Sequence, residues 1–144
     1  MVTRVGQAYD LIISKNTLKK GYIKPVRKID KRQQINLGVS DENFLKAIHD
    51  ALNPGGKLII YNLYPKPPEG KSAYNPQADA RSPFLREQYE KAGLQVLALN
   101  SEDHVMARRM GRALKWDRNE SGDPSSDLDT SLYAMYTVVA RPAH

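Results

Sequence analysis

Apolar residues fall in short runs along this chain, with long polar stretches between them. The first run, "YDLIIS" at Tyr9–Ser14, has a Leu-Ile-Ile centre without polar alternation. That pattern predicts a strand covered on both faces, as in a parallel sheet. Residues 15–38 are polar and carry Gly21, Pro25 and Gly38; a connection this long in a compact domain is usually functional or mobile. Helical spacing follows. Ser40 has the chemistry of an N-cap, Asp41 and Glu42 suit the first turn, and Val39 with Phe44 has the spacing of a hydrophobic staple. Phe44, Leu45, Ile48, Ala51 and Leu52 form the apolar face. Pro54-Gly55-Gly56 should stop this helix, and Lys57–Leu63 (KLIIYNL) is the second strand.

The second half repeats the alternation. Residues 64–79 hold four Pro without periodicity and predict a loop. Ser82-Pro83 suggests a helix start, with Ser as N-cap and Pro at the first helical position, and Gly93 closes it. Leu94–Leu99 is the third strand. Ser101 is expected to cap a further helix whose apolar face is Val105, Met106, Met110, Ala113 and Leu114. Asp117–Asp129 is expected to be a flexible acidic loop, and Thr130–Ala140 the last strand. Strand, helix, strand with a short final connection is a βαβ unit, whose crossover should be right-handed.

Length limits the organisation to a single domain over residues 1–144. No apolar run approaches the roughly 18 residues that span a bilayer, and no signal peptide is readable, so a cytoplasmic location is the default expectation. The absence of Cys excludes disulfides, a Cys-ligated zinc and a Cys nucleophile. His49, His104 and His144 form no metal-spaced pair, so no metal site is expected. The net charge of +6 changes the picture more. Residues 1–34 carry nine Lys/Arg against Asp10 and Asp30, while the other 110 residues carry 13 basic and 14 acidic groups. The basicity belongs to one segment, which is either a solvated loop or a phosphate-binding surface.

"ALNPGG" running into "KLIIYNL" is the most specific motif. A helix ending in Leu-x-Pro-Gly-Gly and feeding an apolar strand resembles the Class I S-adenosylmethionine-dependent methyltransferases. "YDLIIS" is similar to that family's fourth strand, "AGLQVLAL" to its sixth, and "LYAMYTVVARP" to its seventh, in the family's order. The resemblance implies a partial doubly wound, Rossmann-like α/β sheet of about four strands. It would be mostly parallel with a final antiparallel strand, and helices would lie on both faces. The implied order is Tyr9–Ser14, Lys57–Leu63, Thr130–Ala140, Leu94–Leu99. The family's Gly-rich cofactor loop and ribose-binding carboxylate have no counterpart here, since Gly-x-Gly occurs nowhere. The chain therefore resembles a C-terminal half, and the missing neighbours of Tyr9–Ser14 would lie N-terminal to Met1.

Ligands of open α/β sheets bind beyond the carboxyl ends of the strands. By resemblance, Ser14, Lys15 and Asn16 would flank the cofactor S-adenosylmethionine. Tyr22, Tyr61, Asn62 and Tyr64 would contact the methyl acceptor, with Tyr74 a further loop tyrosine near this edge. Ser14-Lys15-Asn16 reads equally as a strand-end turn, and each Tyr as packing. Methyl transfer depends mainly on placing the acceptor, so no residue type here marks a general base. His49 is expected to face solvent. His104, with Glu102 and Asp103 before it, is expected at the surface, the acids being accounted for by the helix dipole.

Three functions compete. The first is a methyltransferase half that is inactive and binds the cofactor weakly until an N-terminal half completes it. The second is a non-catalytic interaction or dimerisation module. The third is a nucleic-acid binder acting through residues 15–32, which is disfavoured because only Tyr22 interrupts the basic run. A bare edge along Tyr9–Ser14 would favour a homo-oligomer or a complementary half as partner.

Overall fold

The computed structural model describes residues 8–69 and 74–143. Four strands form one open sheet in the order β1 (Tyr9–Lys15), β2 (Leu52–Tyr64), β4 (Tyr133–Ala140), β3 (Gln95–Glu102). Strands β1 and β2 are parallel, and β4 lies antiparallel between β2 and β3. The last strand thus inserts between its two predecessors, as the resemblance implies. Around the sheet lie the single turn α1 (Lys20–Ile23), α2 (Asp41–Ala51), α3 (Arg86–Lys91), α4 (His104–Ala113) and the turn α5 (Leu128–Ser131). This is a mixed, Rossmann-like α/β arrangement. No helix among the described residues is long and apolar enough to cross a membrane.

α2 forms where its signals place it. The Ser40 hydroxyl accepts from the Asn43 amide at 3.1 Å, and Phe44, Leu45, Ile48 and Ala51 are buried. They meet Leu52, Leu58 and Ile60 of β2, Val139 of β4, and Phe84, Tyr89 and Leu94 around α3 in one core. Phe44 and Phe84 stack at 5.5 Å, and Tyr89 meets Phe84 edge-on at 5.8 Å.

Pro54-Gly55-Gly56 does not itself stop α2. The helix ends at Ala51, and the chain enters β2 at once. The Pro-Gly-Gly residues form a bulge inside β2: Tyr9 pairs with Leu52, but Leu11 pairs with Lys57. Gly55 supplies the positive φ (+84) that this bulge needs. Arg141, just past β4, fastens it. Gly55 N–H donates to the Arg141 carbonyl at 2.7 Å, and the Arg141 guanidinium donates to the His49 and Leu52 carbonyls at the end of α2. A cation at a helix C-terminus also suits the dipole.

Four further expectations need correction. First, α3 begins at Arg86, not at Ser82-Pro83. Ser82 is buried, and its hydroxyl bonds the Phe84 backbone and the Tyr89 hydroxyl, because Phe84 and Tyr89 draw this segment across the core. Second, β3 continues through Ser101 to Glu102, so Ser101 is not a cap. Third, α4 buries Ala107 and Gly111, leaving Val105 79%, Met106 55% and Leu114 56% exposed. The small residues win because Leu128, Leu132 and Trp116 press on α4 at Gly111, within about 3 Å of where a Cβ would stand. Fourth, the stretch after α4 is not without structure. Asn119 Oδ1 accepts from the Ser121 and Asp123 amides, Arg118 pairs with Pro124, and Leu128–Ser131 is helical, which delays β4 to Tyr133.

β1 is covered on one face, not two. Ile12 packs against the core, while Leu11 is 49% and Ile13 61% exposed. Among the described residues β1 pairs only with β2, so it is an edge strand.

α1 is anchored from beneath. The Lys20 and Gly21 amides donate to the Arg81 and Asp79 carbonyls at 2.8 and 3.1 Å. A Cβ on Gly21 would run into the Pro76 carbonyl. Gly21→Ala should therefore force α1 off the 76–81 segment and cost about 2–3 kcal/mol. Gly38→Ala, where φ is +74 and nothing lies within 4 Å, should cost only about 1 kcal/mol from backbone strain. Denaturant midpoints of the two variants check the order, and equal losses would mean that the contact at Gly21 is loose.

Candidate functional site

Asn16 ends β1 in the left-handed region, φ 58. Its N–H donates to the Tyr61 carbonyl at 3.0 Å, and its side-chain Oδ1 accepts from the Leu63 N–H at 2.7 Å. The carboxamide thus extends the β1–β2 ladder by one bond, much as an Asx-turn mimics backbone. Beyond it the chain turns back over the sheet, and Leu18 and Lys19 become buried.

Lys19 is only 2% exposed. Its ammonium donates to the Leu63 carbonyl at 2.6 Å and to the Gln77 carbonyl at 3.0 Å, and lies 5.2 Å from the centre of the Tyr22 ring. It joins α1 to the end of β2 and to the short helical turn at Pro76–Ala78. Asn62, 1% exposed, makes a second tie: Nδ2 donates to the Leu18 and Ala80 carbonyls at 3.0 and 3.1 Å, while Oδ1 has no partner among the described residues. Burial without a counter-ion lowers the Lys19 pKa to about 8.

A cleft of about 330 Å³ opens over this junction, at the carboxyl ends of β1 and β2. Asn16, Lys19, Tyr22, Tyr64, Gln77 and Ser131 give it its polar groups, and no carboxylate lines it. Of the sequence candidates, Asn16, Tyr22 and Tyr64 come together here. Four others do not. Ser14 lies in the wall of a separate apolar cavity with Ile12, Phe44 and Leu58. Lys15 is exposed at the strand end. The Tyr61 hydroxyl donates to Asp103 at 2.8 Å, and burial first and that carboxylate second push its pKa up. Asn62 lies beneath, spent on backbone carbonyls. Tyr74 bonds Asp79 in a third depression, with its pKa raised by burial.

Neither described histidine is a free surface group. His49 is half-buried against Gly93, with Nδ1 2.9 Å from Asp50. His104 Nδ1 accepts the Ala134 amide at 3.0 Å, and its ring packs edge-on against Tyr64 and Tyr133. Asp103 gives its carboxylate to Tyr61 and caps nothing with its side chain. No group of three metal-ligating side chains exists among the described residues.

Sequence reasoning missed Lys19. It stood in a run of cations, and only the adjacent apolar Leu18 hinted at burial. The structure also divides that run. Lys19 is buried, Lys24 pairs with Asp41, and Arg32 forms a two-nitrogen fork on Asp30.

No protein-family model matches the chain, and no curated protein matches it. Solved structures of similar shape include two of phosphoethanolamine N-methyltransferase 2 from Haemonchus contortus. One, with S-adenosyl-L-methionine, is 14% identical with TM-score 0.44 and covers 93% of this chain and 33% of its own. The other, with phosphomonomethylethanolamine and S-adenosylhomocysteine, is 13% identical with TM-score 0.42, covering 96% of this chain and 35% of its own. The cyclase SpnF is 13% identical with TM-score 0.40, covering 96% of this chain and 52% of its own. The chain thus spans between a third and about half of these proteins. Similarity at this level does not bear on chemistry.

In the unfolded chain Lys19 has the ordinary lysine pKa of 10.5, and burial lowers it to about 8 in the fold. Between those values the unfolded state holds a proton that the folded state lacks, so this residue makes stability rise with pH there. Relative to Lys19→Met, the unmodified chain should gain about 3 kcal/mol between pH 8 and 10.5. Urea unfolding of both proteins across that range measures it, and a constant difference would show that the ammonium is well solvated.

Proposed function

We propose that this chain is a methyltransferase-like module that supports S-adenosylmethionine-dependent methyl transfer when an N-terminal half completes it. The observation that carries the reading is the strand order, with its reversed last strand inserted between β2 and β3, and the polar cleft at its carboxyl edge. In this reading Asn16 forms the cofactor side of the cleft, with Ser14 and Lys15 in the strand that leads to it. Tyr22, Tyr61, Asn62 and Tyr64 form the acceptor side, with Tyr22 and Tyr64 touching the acceptor and Tyr61 and Asn62 holding the loops that present them.

The cleft fits only part of the cofactor. Neither a Gly-rich turn nor a carboxylate for ribose hydroxyls lines it, and affinity for a small molecule needs convergent contacts over most of its surface. The module's own work is to position. Asn16 and Lys19 fix the strand ends, and Tyr22 and Tyr64 shape the acceptor wall. The chain alone should bind S-adenosylmethionine more weakly than about 10 μM. Adding a half that carries a Gly-rich βαβ unit and an acidic residue should bring binding into the micromolar range. Calorimetry on both preparations decides: tight binding by the chain alone defeats the two-half reading, and no binding by the completed pair defeats methyl transfer.

A second reading, an interaction module, is favoured by one observation: β1 is an edge strand with Leu11 and Ile13 half-exposed or more. Bare apolar edges pair with other strands. Sedimentation at micromolar concentration should show a dimer or larger, and Leu11→Lys with Ile13→Lys should return it to monomer. A clean monomer whose Leu11–Ile13 amides exchange slowly would show that the edge is covered within the chain.

A further inference from the structure

We propose that the cleft over Lys19 is an anion site that receives a carboxylate or phosphate group of a small ligand. The Lys19 side chain is buried, and its ammonium donates to two neutral carbonyls, Leu63 O and Gln77 O, and lies over the Tyr22 ring, none of which carries a counter-charge. No carboxylate lies within ion-pair distance of it among the described residues. Residues 1–7 and 70–73 contain no Asp or Glu either. A buried cation without a counter-charge is costly, and proteins keep one where something compensates it. An ammonium has three N–H donors, and only two are used here. The group lies in the wall of an open cleft whose other polar members are the Tyr22 and Tyr64 hydroxyls, the Gln77 and Asn16 amides and the Ser131 hydroxyl. The Tyr22 and Tyr64 hydroxyls and the two amides can offer hydrogen to an anion, the Ser131 hydroxyl gives its own to the Asp127 carbonyl, and no lining acid repels an anion.

A structural pin is the competing account, since Lys19 ties α1 to two other segments. Two hydrogen bonds to carbonyls would be met as well by neutral donors, which carry no desolvated charge. The positive charge itself is what the pin leaves unexplained. As an anion site the inference stands alone. As the statement that the methyl acceptor is anionic, it rests on the methyl-transfer reading.

The test titrates the full chain with inorganic phosphate and, separately, with acetate at constant ionic strength, followed by amide shifts. Saturable shifts should cluster at Asn16, Lys19–Tyr22 and Leu63–Tyr64, and the tighter of the two anions names the group. Lys19→Met should weaken binding at least about tenfold, and Tyr22→Phe, which keeps the ring, should weaken it severalfold. In the unmodified chain, phosphate should also raise the pH at which the Lys19 ammonium titrates, because linkage is reciprocal. Tyr64, which also lines the cleft, has its pKa raised by burial, away from the Lys19 step. If Lys19→Met fails to fold, this titration and Tyr22→Phe carry the test. Absence of saturation, shifts confined to residues 24–34, or an unmoved Lys19 titration overturns the proposal. Phosphate binding by a chain that never takes S-adenosylmethionine, even when completed, would sink methyl transfer and leave the anion site. Cofactor binding by the completed pair without any anion binding would do the reverse.

Discussion

The eight-pair ladder between β2 and β4, from Lys57 with Ala140 to Tyr64 with Tyr133, is the interaction on which the rest depends. It runs without a register shift, whereas β1–β2 contains one and β3–β4 two. Among the described residues, β4 is the only strand that joins the βαβ unit to β3. Without it Leu58 and Ile60 lack Val139, and β3 with α3 is cut off from the rest of the sheet. Pairing of such sequence separation is slow to form. The bulge at Asn53–Gly56 belongs to the same event, because Arg141 holds it from the end of β4.

Sequence pattern showed the strands, and the resemblance implied their order, but neither showed how the helices start and pack. Runs such as Lys57–Leu63 and Leu94–Leu99 are apolar enough to be strands in any context, and "ALNPGG" carried the resemblance from which the order came. α2 was legible because cap, first-turn acids and apolar face agree. α3 and α4 were misread for opposite reasons. Ser82-Pro83 has the chemistry of a helix start, yet burial of Phe84 and Tyr89 outweighs a cap worth about 1 kcal/mol. In α4 the large apolar residues were assigned inward. Close approach by Leu128 and Leu132 rewards the small face at Ala107 and Gly111, and nothing local to α4 encodes those partners.

The candidate site was legible only as a location. The rule that ligands gather at carboxyl strand ends found Asn16, Tyr22 and Tyr64. It could not separate them from Ser14 and Tyr61, which neighbour them in sequence but lie elsewhere: the pleat turns Tyr61 away from Tyr64, and the left-handed residue Asn16 ends the alternation that Ser14 still follows. Lys19 was hidden by its company: charge counting treats nine cations as equivalent, and burial is decided by contacts with Leu63 and Gln77, 44 and 58 residues away.

Two unmet demands of this fold adjoin the same strand. Among the described residues, β1 has no strand on its outer side, and it carries an apolar pair, Leu11 and Ile13, on its open face. At its carboxyl end, the cleft holds a cation without a counter-charge and lacks a carboxylate that could grip ribose. Under the function proposed above, these are one demand. A strand added parallel to β1 would satisfy its N–H and C=O groups, and the connection leaving that strand would emerge beside Asn16, at the cleft. Ligands of open α/β sheets sit at this position because loops from adjacent strands converge there. A partner that covered Leu11 and Ile13 without adding a strand would bury apolar area yet leave the ladder open and bring nothing to the cleft. Under that proposal, what completes the sheet on this side also completes the site.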